Sequence, residues 1–138
     1  MKPSARFVTV VPMVAIVALL VTQVPAIWRP THIFGLALLI PSAILLVIAR
    51  IQLGNSFSLT PQATSLVTHG LYSRIRNPVY IFSFFVLAGL ILYLDRPWFL
   101  AALLPLLVLQ VLRARREAVV LEQRFGDAYR QYRAHTWF

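Results

Sequence analysis

Arg113 and Glu117 stand four residues apart in R-A-R-R-E, so a helix carries both side chains on one face. A carboxylate at the end of a long apolar run is a functional candidate, because burying it without a task is costly. A plain ion pair explains the spacing equally well, since exposed pairs are common and contribute only ~0–1 kcal/mol. Arginine before glutamate is the less favourable order for supporting a helix, which weakens the ion-pair reading slightly. Asn77-Pro78 reads as a helix start, with asparagine at the cap and proline at the first helical position. His69, a lone histidine beside Gly70, reads first as a turn residue, because no neighbour orients it as a base. The chain has no cysteine, which removes thiolate nucleophiles, thiolate metal sites and disulfides. Its five glycines form no G-x-G-x-x-G, so a soluble dinucleotide fold has no fingerprint. No metal-ligand spacing is present.

The elements that must position these residues are apolar. Of 138 residues, 59% are hydrophobic and 12% charged, where a soluble domain carries roughly 25% charge. That excludes most water-soluble folds, and the hydrophobicity excludes disorder. Four apolar stretches predict helical spans at about 7–27, 33–49, 79–94 and 97–112. The first two have the length of a membrane crossing, and the last two are slightly short. Asp95-Arg96 predicts a tight hairpin between the third and fourth, with Asp95 as the cap and Pro97 early in the next helix. Prolines 12, 25, 41 and 105 fall inside the apolar runs, where membrane helices commonly tolerate them. The length of the first run favours a span over a cleavable leader. The fold expected is an all-α integral membrane protein of four transmembrane helices with a C-terminal cytoplasmic amphipathic helix, forming one domain over 1–138.

Charge gives that fold a direction. Eleven of the thirteen Lys and Arg residues fall on one side of the four-span arrangement, leaving only Arg29 and Arg96 on the other. By the positive-inside rule both termini are then cytoplasmic. The same sidedness accounts for the net charge of +9, and no zinc spacing or aromatic-rich strand pattern points to nucleic acid. Membrane lipid is the expected partner of most of these arginines. Pairing with a second copy of the chain is left open.

The polar residues gather in two places on that side. One is the connector 54–78, in which Ser58 to Thr68 has the pattern of a short extended hairpin. The other is the tail 113–138, where Leu121, Phe125, Ala128 and Tyr132 recur at near-helical spacing, and Gly126-Asp127 reads as a helix stop and restart. The connector's T-S-L-V-T-H-G-L-Y-S-R-I-R-N-P-V-Y and the tail's R-x-x-x-E-x-x-x-L-x-x-x-F-G-x-x-Y-x-x-Y, taken together and in this order, resemble the isoprenylcysteine carboxyl methyltransferase family. That family belongs to a wider group of integral-membrane methyltransferases that includes the phospholipid N-methyltransferases.

The resemblance implies that connector and tail wrap S-adenosylmethionine at the cytoplasmic face. It places Gln62, Thr64, Leu66, Val67, Tyr72, Asn77, Pro78, Val79, Tyr80 and Glu117 against this cofactor, with the match at Gln62 loose. It places Arg113 on the carboxylate of the substrate. The chain departs from the family pattern at Asn77, where histidine is more familiar, at Ala118, where a second acid stands, and at Phe82, where glycine is frequent. The implied activity is methyl transfer to a lipophilic or prenylated acceptor, foremost a carboxylate. Such an acceptor is already an anion, so alignment and water exclusion suffice, supplying as much as ~7–11 kcal/mol. An amine or phenol acceptor would need a base, and His69 is the nearest candidate. Two other functions stay open on the sequence: a membrane reductase using NADPH, related to sterol reductases, and a non-catalytic adaptor binding lipid or a partner helix.

Overall fold

The computed structural model describes the backbone of residues 5–54 and 66–138, and the side chains of that set from Val11 onward. Among the described residues the chain is all-helical, with helices α1 (Ala5–Thr22), α2 (Pro30–Leu53), α3 (Pro78–Tyr93), α4 (Leu103–Phe125) and α5 (Asp127–His135). A short 3-10 turn at Gly70–Ser73 precedes α3, and a second at Pro97–Ala102 leads into α4.

Among the described residues two helices are long and apolar enough to cross a membrane: α2, and α4 taken with its leading turn from Pro97. At about 1.5 Å per residue, the 24 residues of α2 reach about 36 Å. The apolar helix Pro78–Tyr93 is shorter than a full crossing, and α1, 18 residues from Ala5, carries described side chains only from Val11, so among the described residues two of the four expected spans meet the length requirement. The first helix also ends sooner than its apolar run. It stops at Thr22 because Pro25 lacks an amide donor and disfavours helix at the residue before it. Pro41 lies inside α2, as expected of a membrane helix, and Pro105 falls in the first turn of α4.

The core is the antiparallel pair α2–α3, which crosses at glycine. A Cβ on Gly35 would lie 2.8 Å from the carbonyl oxygen of Gly89, and one on Gly89 would lie 2.7 Å from the main-chain nitrogen of Leu39. Small residues at such a crossing bring the two backbones into direct contact, the usual device for joining helices in lipid. Leu39, Ser42, Val86 and Ala88 are buried along the same seam.

At one end of this pair the turn after α3 is clamped to the start of α2. Asp95 is not a helix cap, contrary to its sequence reading. Its φ of 54° places it in the left-handed region, and Arg96 stands at the cap of the following turn. The Asp95 carboxylate instead accepts from Thr31 Oγ1 at 2.8 Å and from Arg29 Nη1 at 2.8 Å. Both oxygens are engaged by these tertiary partners rather than by amides of the following turn. His32 is buried beside them, accepts the Arg29 amide through Nδ1 at 2.9 Å, and packs edge-on to Trp28 and Tyr93. Tyr93 in turn donates to the Leu20 carbonyl at 3.1 Å and ties α1 to α3.

At the opposite end, α4 runs past the apolar segment without a break until Gly126, whose φ of 52° ends it, and α5 begins at Asp127. This stop and restart match the sequence expectation. The hairpin expected over Ser58 to Thr68 lies almost wholly outside the described residues.

Candidate functional site

The site is assembled where the end of α2, the connector, the first turn of α3 and the second half of α4 converge. Tyr80, one turn into α3, donates its hydroxyl to Glu117 Oε1 at 2.6 Å. Arg113 Nε donates to the same oxygen at 3.1 Å, and its guanidinium carbon stands 5.7 Å from the centre of the Tyr80 ring. The predicted i,i+4 pair is therefore real, and it is also the base of a three-residue cluster spanning two helices. Both bonds end on Oε1, and Oε2 of Glu117 takes no hydrogen bond from the described residues. The cluster is partly open: the Glu117 side chain keeps 25% of its exposure and that of Arg113 36%.

Arg50 joins the cluster from α2, close enough to Tyr72, Tyr80 and Arg113 to share their electrostatic field. In the sequence it reads only as the residue that closes a span. The helix continues one turn beyond it to Leu53, which keeps Arg50 on the wall of the site. A second residue the sequence did not single out is Gln52. Its Oε1 accepts the amide of Leu71 at 2.8 Å and fastens the connector to α2.

The remaining sequence candidates divide by environment. Tyr72 is buried, and burial pushes its hydroxyl well above the usual tyrosine range, so it stays protonated. Val79 is buried with Tyr72 and Ala49 in a small apolar cluster, against which Val67 packs, and Pro78 is wholly buried at the start of α3. Ala49 and Val79 of this apolar cluster directly adjoin Arg50 and Tyr80 in the chain. Leu66 is half-buried. Asn77 occupies the cap position of α3 and Pro78 the first helical position, as predicted, yet the Asn77 side chain makes no capping hydrogen bond. Gln62 and Thr64 lie outside the described residues. His69 is exposed at the start of the 3-10 turn and shares no hydrogen bond with the cluster among the described residues.

The tail closes over the connector. Tyr132 donates its hydroxyl to the Tyr72 carbonyl at 2.7 Å. Beyond α5 the chain pairs with the connector through a single parallel bridge, Ile75 to Trp137. The Trp137 amide donates to Arg74 O at 3.0 Å, the Arg76 amide to Trp137 O at 3.2 Å, and the Asn77 amide to Phe138 O at 3.0 Å. Sequence patterning put Tyr132 on a packing stripe, but no pattern marks a backbone bridge of this length. A groove of about 620 Å³ along α1, lined by Met13, Val17 and Val21, contains none of the candidate residues.

The arrangement offers an anionic oxygen, an arginine side chain and a tyrosine hydroxyl beside the apolar helices. Such a set can hold a zwitterionic ligand beside an acid or phosphate group. Residues 30–128 match the family model of the phospholipid methyltransferases, a stretch running from the first residue of α2 into α5. No curated protein and no solved structure matches the chain.

Proposed function

The chain belongs to the phospholipid methyltransferase family, a family of membrane methyltransferases, and from that premise we propose that it moves a methyl group from S-adenosylmethionine to a lipophilic acceptor, foremost a carboxylate. The observation that carries this reading is the convergence of Tyr80 and Arg113 on one oxygen of Glu117. The second oxygen remains to receive an ammonium or hydroxyl group, which is the kind of group the donor's amino acid and ribose parts present. The residues present therefore fit the donor. When bound, it supplies a methyl carbon whose bond to sulfur breaks as the acceptor oxygen bonds to that carbon, the electron pair staying on sulfur.

The protein's own work is binding and alignment. Glu117 and the hydroxyl of Tyr80 hold the donor's polar end. Tyr72, Val67 and Val79 supply an apolar wall that keeps water from the reacting carbon. Arg113 holds the acceptor's carboxylate by a charge-assisted contact and fixes its angle of approach. No protein base enters the reaction with an anionic acceptor.

An amine acceptor, as in a phospholipid headgroup, must first lose a proton. One oxygen of Glu117 is tied by two donors and the other is taken by the methyl donor in this reading, Tyr72 is held protonated, and His69 stands apart from the cluster among the described residues. These observations favour the carboxylate. The sided distribution of arginine supports termini, connector and tail on the cytoplasmic side, within reach of a soluble donor. Membrane lipid surrounds the apolar helices in this reading.

Titration of the detergent-solubilised protein with S-adenosylmethionine and with NADPH by calorimetry tests the proposal. Heat from the methyl donor alone is expected. Binding of NADPH without binding of S-adenosylmethionine would move the chain to the reductases, and binding of neither to the adaptors.

A further inference from the structure

We infer that the segment Tyr132–Phe138 is a strap that holds the donor-binding connector in its working conformation, with Tyr132 as its central positioning residue. The inference rests on the reading that the connector binds S-adenosylmethionine, and it adds an element outside the region matched by the family model, which ends at residue 128.

The connector from Leu66 to Asn77 has one 3-10 turn and no strand or helix of its own to satisfy its main chain. Backbone amides and carbonyls near an apolar core need partners, or the segment is not held in one conformation. The tail supplies them. Three backbone hydrogen bonds join Arg74, Arg76 and Asn77 to Trp137 and Phe138, and the Tyr132 hydroxyl holds the Tyr72 carbonyl. All four end on residues within a six-residue stretch whose ends are Tyr72 and Asn77, both assigned to the donor. The Trp137 side chain is 61% exposed, so the tail contributes its main chain here rather than its indole. Burial pushes the Tyr132 hydroxyl up to about 12, so it remains a donor throughout the physiological range.

A ligand that needs the connector ordered and a strap that orders it must favour each other. Such coupling is reciprocal: the strap raises donor affinity, and the donor protects the strap.

The test uses the full chain in detergent, with S-adenosylhomocysteine as the probe. Tyr132→Phe removes the hydroxyl, and Trp137→Pro removes the amide that donates to Arg74 O. Thr136, at φ −124° and ψ 152°, already has the extended conformation that a following proline requires. Each variant is expected to weaken binding about three- to tenfold, the effect of one hydrogen bond. Trp137→Ala, which keeps the backbone bonds, is expected to bind as the parent does. In the parent, amide exchange at Arg76, Asn77 and Trp137 slows when the probe is added, and in Tyr132→Phe this protection falls. A merely structural strap would leave the ligand-dependent part of that protection unchanged.

Unchanged affinity in both variants, with exchange at Arg76 and Asn77 indifferent to the probe, overturns the strap and leaves the methyltransferase reading standing. Failure of the parent to bind either S-adenosylhomocysteine or S-adenosylmethionine overturns both.

Discussion

Tyr80 on α3 and Glu117 on α4, 37 residues apart in sequence, meet at 2.6 Å with the phenol donating to the carboxylate. The contact ties the two helices on either side of the site and orients the one acid that the site contains among the described residues. Arg113 binds the same oxygen, so the carboxylate is held from two directions.

Glu117→Ala is expected to weaken S-adenosylhomocysteine binding by about ten- to a hundredfold, the range for a charged hydrogen-bond partner. Calorimetry measures this directly. Affinity within twofold of the parent would remove Glu117 from the donor site and return it to the role of a surface ion pair.

Tyr80→Phe keeps the ring beside Arg113 and deletes only the hydroxyl. Paired with Glu117→Gln in a double-mutant cycle on donor affinity, it is expected to show a coupling of about 0.5–3 kcal/mol, as for residues in direct contact. Additive losses would mean that the 2.6 Å contact does not contribute to binding.

Arg113→Ala should act mainly on the acceptor. Donor affinity falls by no more than about tenfold, since one hydrogen bond to Glu117 is lost, while the acceptor KM rises well beyond that factor. Arg113→Lys keeps the charge but not the planar fork, so only partial rescue is expected. A larger loss in donor affinity than in acceptor KM would contradict the assignment. Steady-state kinetics with each substrate varied in turn separates the two.

The helices and the i,i+4 pair were legible in the sequence because both follow from periodicity, which a single strand of text records. Tyr80 was reached by resemblance alone, since nothing local connects it to a carboxylate on another helix. Arg50 was read as the end of a span because charge normally marks that boundary, whereas α2 carries it one turn inside the helix end. The tail bridge at Trp137 uses main-chain groups that every residue possesses, so no residue type announces it. Asp95 misled for a related reason. An aspartate before proline has the chemistry of a cap, but Thr31 and Arg29, more than sixty positions away, compete for the same oxygens.

Asp95 also gives a pH dependence with a definite sign. The hydrogen bond from Thr31, and then the charge of Arg29, hold its carboxyl below the usual carboxylate range. A folded value below the unfolded one contributes stability that is present above about pH 4 and is lost as pH falls through the depressed value. Thermal unfolding in detergent from pH 7 to pH 3 is expected to show this loss at the acidic end. Asp95→Asn should lower the midpoint at pH 7 and flatten the acidic fall. Parallel curves for parent and variant would show that the clamp does not contribute.

The crossing of α2 and α3 has a consequence for how this sequence can vary. The atoms that a side chain at Gly35 or Gly89 would strike belong to the main chains of Tyr93, Gly89, Leu39 and Gly35. A clash with a neighbouring side chain can be relieved by trimming that neighbour, but a clash with main chain offers nothing to trim. Neither glycine can be exchanged and then repaired by a second change nearby. The two positions are fixed points, around which Tyr80, Arg50 and the rest of the site are free to drift only as far as the helix pair itself allows.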